Sequence, residues 1–139
     1  MGQQQLLLIV LGVIIVGIAV VVGINVFTAS SSQANRDAVV ADLTTLASMA
    51  QQYYRKPDAL GGGGNSFAGW TIPAQLDTTG NGTYTISTVG SATGIGITGT
   101  GNELGDNGTS EIVMVIAVTP TDFTVSKTNL YISKNPAIL

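Results

Sequence analysis

The amino-terminal part of the chain is almost wholly apolar. From Leu6 to Phe27 it reads LLLIVLGVIIVGIAVVVGINVF, interrupted only by Asn25 and three glycines, and no formally charged residue precedes Arg36. A run of this length crosses a bilayer as a helix. A helix in a soluble core would keep a polar face, and this one has none. Val and Ile are weak helix formers in water. In lipid, however, a single segment satisfies its own amides only as a helix.

The pattern then changes period without a linker. Between Gln33 and Lys56 (QANRDAVVADLTTLASMAQQYYRK), Val39, Leu43, Leu46, Ala50 and Tyr53 recur at spacings of four, three, four and three. That is one helical stripe, expected to pack under a head. Asp37 and Asp42 sit away from the stripe, near its N-terminal end. Arg55 and Lys56 close the other end, where positive charge suits the helix dipole. Pro57 and the run Gly61 to Gly64 stop the helix. The stretch Thr28 to Ser32, TASSS, is the candidate break. Ser and Thr also bond back to the preceding turn, so continuity stays open. Unbroken from about residue 3 to 56, the helix would be roughly 80 Å long.

From Phe67 onward short extended segments follow. Trp70-Thr71-Ile72 precedes Pro73 and reads as a connector or a short edge. Thr83 to Val89 alternates with period two, and Thr93 to Thr98 alternates with glycine. Glu111 to Val118, EIVMVIAV, is a continuous apolar run and the expected central strand. Phe123 to Lys127 and Leu130 to Ser133 complete the set. Gly80-Asn81-Gly82, Gly99 to Gly108 and Thr119-Pro120 read as the turns between them. Short spacings favour an antiparallel sheet, with Trp70 and Tyr84 as candidates for the core. The fold class expected is α+β: a long N-terminal helix, hydrophobic then amphipathic, packed against a small antiparallel β-sheet head. The divisions are 1–32 for the apolar helix, 33–56 for its amphipathic half, 57–82 for a Gly-rich connector and 83–139 for the head.

Composition narrows the chemistry. Net charge is −3 with five basic residues, scattered in sequence, where phosphate binding needs a cluster of them. Nucleic acid is therefore not an expected partner. The chain has no Cys and no His. The usual zinc and copper ligands are missing, and so are Ser-His and Cys-His nucleophile pairs. Gly61 to Gly64 lacks the Lys and the helix of a phosphate loop. No enzyme activity, cofactor or metal is expected. The loops Asp77 to Asn81 and Asn102 to Asn107 carry oxygen ligands that suit calcium, but neither matches an EF-hand, and solvated Asp, Asn and Gly turns are the favoured account of them. Asn81-Gly82-Thr83 and Asn107-Gly108-Thr109 are glycosylation sequons, a triplet that also arises by chance in Thr-rich turns. Ser30 to Ser32 and the many head threonines are candidates for O-linked sugars.

Three readings compete for the apolar run. A cleavable secretory signal would have a basic n-region and a shorter core, and neither is present. A simple membrane anchor is the plain alternative. An assembly helix accounts for the amphipathic continuation as well. Gly12, Gly17 and Gly23 are not spaced as GxxxG. They either ease close helix approach or reflect the ordinary frequency of Gly in membrane helices.

The glycine at Gly2, the aliphatic helix that follows at once, the amphipathic half closing on QQYYRK, the Gly-rich loop and the compact β-rich head together resemble the type IV pilin superfamily. The resemblance covers the first 56 residues in sequence and the remainder in architecture. It implies a structural subunit of an extracellular filament that polymerises through its N-terminal helix. The assembly core would comprise Leu6, Leu7, Leu8, Ile9, Val10, Leu11, Val13, Ile14, Ile15, Val16, Ile18, Val20, Val21, Val22, Ile24 and Phe27. The subunit would rest in the inner membrane before assembly, with a prepilin peptidase and pilus assembly machinery as partners and itself as the polymer. The matching cleavage is at Gly2–Gln3. The family's Glu at the fifth mature position has no counterpart, because Leu7 stands there after that cleavage and Gln5 if Met1 is residue one. Gln3, Gln4 and Gln5 are the available acceptors for a neighbour's amine. The alternatives are a pseudopilin of a type II secretion-like machine and a singly anchored membrane protein with an exported β domain.

Overall fold

A single α-helix, α1, runs from Gly2 to Arg55, 54 residues and about 81 Å at 1.5 Å per residue. The structure is a computed structural model and describes residues 2–105 and 108–127. The sequence-expected strand at Leu130 to Ser133, and with it residues 106–107, lies outside the described residues.

The helix does not break at TASSS. Thr28 Oγ1 donates to the Ile24 carbonyl one turn back at 3.0 Å, and the same i−4 bond recurs at Thr44, Thr45 and Ser48. Each hydroxyl is thus used within the helix instead of competing with it. At the other end the Gly-rich loop folds back over the C-terminus. Gly63 N–H donates to the Tyr53 carbonyl at 2.8 Å and Asn65 N–H to the Tyr54 carbonyl at 2.9 Å, so carbonyls without a helical partner are satisfied. Gly61 and Gly64 take positive φ, 76° and 53°, which L side chains rarely adopt. Just before them, Asp58–Leu60 forms one 3-10 turn.

Four strands form an antiparallel meander in the order β1-β2-β3-β4, with β1 Gly82–Thr88, β2 Ile95–Leu104, β3 Glu111–Val118 and β4 Phe123–Lys127. The architecture is α+β, as the sequence pattern predicts. The Trp70 to Ile72 segment is a connector, not a strand, and its Trp70 is buried. β1 alternates buried and exposed up to a register shift between Ile86 and Thr88. β3 is interior, but only one face is fully covered. Ile112, Met114, Ile116 and Val118 face the helix, while Val113 and Val115 are half-buried on the other side.

β2 corrects the sequence reading. It extends through Gly99, Thr100 and Gly101, where a turn is expected from the glycines. Here glycine marks a close approach. A Cβ on Gly99 would lie 2.9 Å from both the Tyr84 ring and Val39 Cγ1, and one on Gly101 would meet Asn35 Oδ1. The helix crosses the sheet at these positions, and side chains there would hold it off.

The core lies between α1 and one face of the sheet. Val39, Leu43, Leu46, Ala47 and Ala50 supply the helix side and are fully buried or nearly so. Tyr84, Ile97, Ile116 and Val118 supply the sheet side, and Phe67 and Trp70 close the top. Tyr54 stacks on Phe67 with ring centroids 4.8 Å apart, within the range of favourable aromatic pairs.

Candidate functional site

The residues picked from the sequence fall into two sets with opposite environments. The stem set, Leu6 to Phe27, lies along the part of α1 that projects beyond the head. Its large apolar side chains are 52–75 % exposed. The first side chain of α1 to bond the head is Ser32, so residues 2–31 leave roughly 45 Å of helix uncovered by the chain itself. Gln3, Gln4 and Gln5 are exposed on its first turns, and Gly2 is the first described residue of the helix. Gly12, Gly17 and Gly23 meet nothing within 4 Å. The helix is long and apolar enough to cross a membrane, and none of its most apolar window is buried.

The head set is brought together. Val39, Leu43, Leu46 and Ala50 pack as the helix side of the core, and Tyr53 is half-buried at its edge. The Tyr53 hydroxyl donates to the Ala68 carbonyl at 3.0 Å.

The sequence reading did not identify the polar joints between helix and head. Ser32 Oγ donates to the Leu104 carbonyl. Asn35 Nδ2 donates to the Asn81 carbonyl at 2.8 Å, and its Oδ1 accepts the Glu103 N–H at 3.4 Å. Gln51 Nε2 donates to the Thr119 carbonyl at 3.1 Å near the other end. The densest joint is at Asp42. Its Oδ2 accepts from the Tyr84 hydroxyl at 2.7 Å and from Thr79 Oγ1 and Asn81 Nδ2, both at 3.0 Å.

This joint sets the two displaced pKa values. Burial pushes the Asp42 carboxyl up, but the hydrogen bonds from Asn81, Tyr84 and Thr79 together outweigh it and hold the group below its ordinary value. Burial, aided by the bond to Asp42, pushes the Tyr84 phenol well above the usual tyrosine value. Asn81 was a glycosylation candidate. The amide nitrogen a glycan would modify is the one that donates to Asp42. Asn107, the other candidate, lies outside the described residues.

In the loop Asp77 to Asn81, Thr79 and Asn81 therefore spend their side chains on the helix. Among the described residues no group of three or more His, Cys, Asp or Glu converges. A shallow groove beside α1 is lined by Ser48, Gln51, Gln52 and Arg55. The arrangement is one of surfaces: a bare apolar rod, joined through hydrogen bonds and a packed core to a small polar head. No family model, curated protein or solved structure matches the chain.

Proposed function

We propose that this chain is a structural subunit of an extracellular filament of the type IV pilin kind, polymerising through the apolar half of α1. The observation that carries this reading is the bare stem. Seventeen large apolar side chains between Leu6 and Phe27 are exposed. Left in water, they would cost on the order of 25–50 kcal/mol, at about 1.5–3 kcal/mol each. A bilayer or a bundle of copies must cover them.

Continuity favours a bundle as the final state. An anchor needs only a span and a tether. Here the span and the head's core helix are one unbroken rod, held at Ser32, Asn35 and Asp42. Copies with such rods stack side by side with their heads facing outward, and every stem side chain then leaves lipid for a protein core. The neutrality of the first thirty-five side chains suits such a core, which tolerates no unpaired charge. The membrane holds the subunit before assembly. Gly2–Gln3 is the processing site in this reading, and Gln3 to Gln5 face a neighbour's amine.

The singly anchored domain is the second reading, supported by the length and apolarity that suit the stem to one membrane crossing. Shearing the producing cells, imaging the released material by electron microscopy and identifying its subunit by mass spectrometry separates the two. Fibres made of this chain establish the polymer. A monomer that stays in detergent-soluble membranes, with no fibre containing it, overturns it.

A further inference from the structure

The distance between stem and head fixes where the head sits before assembly. The apolar run Leu6 to Phe27 has 22 residues. At 1.5 Å each it spans about 33 Å, matching a hydrocarbon core of about 30 Å. Ser32 is five residues beyond Phe27, about 7.5 Å farther along the same helix. The headgroup layer on each side of a bilayer is about 5–7 Å thick. The helix is continuous through this interval, so the distance cannot stretch.

The base of the head lies at the level of Ser32. The Ser32 hydroxyl donates to the Leu104 carbonyl at the end of β2. Asn102 and Asn81 are joined there by a backbone bond of 3.2 Å, and Asn35 bonds both Asn81 and the Glu103 N–H. Leu104 is one of the few large apolar residues exposed on the head, at 46 %. It sits at the end nearest the stem. Val89, exposed at 84 %, is at the opposite end, where the chain turns beside Phe67.

We propose that the base of the head, Leu104 with the neighbouring Asn102 and Asn35, is a lipid-contact surface that rests in the headgroup layer while the stem is in the bilayer. The inference rests on the membrane-held state in the proposed function and deepens it. Two observations carry it: an exposed apolar side chain beside the amides of Asn35 and Asn102, which suit a wet polar layer as do the neighbouring carboxylates of Glu103 and Glu111, and a rigid spacing about equal to the thickness of that layer. One consequence is that leaving the membrane strips lipid from the base as well as from the stem.

The test uses the full chain in phosphatidylcholine nanodiscs. The chain has no cysteine, so a single introduced one carries a nitroxide uniquely. Depth is read from collision with oxygen and with a nickel chelate at Ile15→Cys, Leu104→Cys, Asn102→Cys and Val89→Cys. Asn102→Cys guards against a label that drags an apolar site into lipid. The expected result is a deeply buried Ile15 label, Leu104 and Asn102 labels within about 7 Å of the hydrocarbon edge, and a Val89 label about 30 Å farther out. If Ile15 is deep while Leu104 and Asn102 are as open to the chelate as Val89, the base does not touch lipid and this inference falls alone. If Ile15 is open to the chelate, the membrane-held state falls with it.

Discussion

The Asp42 joint offers a quantitative test of what holds the head to the helix. Asp42→Asn keeps the shape and removes the charge. One carboxylate oxygen accepts three bonds, at 2.7, 3.0 and 3.0 Å. Charge-assisted bonds of this kind contribute about 1.5–3 kcal/mol each when desolvated. The amide oxygen still accepts, but more weakly, because it carries no full charge. Asp42 is half-buried, so water screens part of the effect. We expect a loss of about 1–3 kcal/mol. For a head of this size that lowers the midpoint by about 4–24 °C. Trp70 is the single tryptophan and is buried, so its fluorescence in the detergent-solubilised chain reports the head's unfolding without a label.

The pH dependence checks the cause. The folded Asp42 carboxyl lies below its ordinary 3.8. The fold therefore favours the ionised form. Its contribution is present above about pH 4 and is lost as pH falls through the lower folded value. Other carboxylates titrate in the same window, but they cancel in the difference between wild type and Asp42→Asn. That difference should shrink steadily on acidification below about pH 4. A gap that stays constant down to about pH 2, or a midpoint change under about 2 °C at neutral pH, would refute the assignment of the charge as the joint's main support.

Three further changes probe other parts of the argument. Tyr84→Phe keeps the buried ring and deletes the 2.7 Å bond, for an expected cost of about 1–2 kcal/mol in urea unfolding. Because the folded Tyr84 phenol is raised above its ordinary 10.0, wild type should lose stability as pH rises beyond about 10 and Tyr84→Phe should lose less. Gly99→Val places atoms against the Tyr84 ring and Val39, both at 2.9 Å from the first added carbon. It should destabilise the head by about 1–3 kcal/mol, and an unchanged Trp70 transition would argue against the close crossing. Ser30→Pro removes one helical bond and clashes with the carbonyl four residues back, about 3 kcal/mol of local helix disruption. It should abolish fibres by electron microscopy while leaving the Trp70 transition within about 0.5 kcal/mol.

Much of this architecture is legible in the sequence because the two ends of α1 obey different solvents. A run with no polar face and a stripe at helical spacing are both long, periodic signals, and the structure joins them in one helix. The stripe also identifies the helix side of the core, because Val39, Leu43, Leu46 and Ala50 had only one face on which to meet. The reading fails where one residue type serves two purposes. Glycines at Gly99 and Gly101 look like a turn, but they are room for a crossing helix that lies some sixty residues earlier in the chain. Asp42 looks like a solvated charge, because its three donors come from a loop and a strand far along the sequence. A partial signal was available. Extending the stripe backward from Val39 by four and then three residues reaches Asn35 and Ser32, both polar and both joined to the head. Nothing in the sequence names their partners, which are backbone groups.

Those joints also explain why the rod is continuous where its sequence is weakest. The stretch from Thr28 to Asn35 is rich in Ser, Thr and Asn, residues that compete with helical hydrogen bonding and favour turns and caps. An isolated peptide of that composition would have little reason to stay helical. Here Thr28 is occupied by the preceding turn, and Ser32 and Asn35 are occupied by Leu104, Asn81 and Glu103 of the head. Three of the side chains that would unwind the helix are thus bound in positions only a helix can offer. The head is therefore a splint across the junction as well as a load at its end. From Ser32 onward, continuity of the rod is a tertiary property, supplied by the domain that depends on the same helix for one whole side of its core.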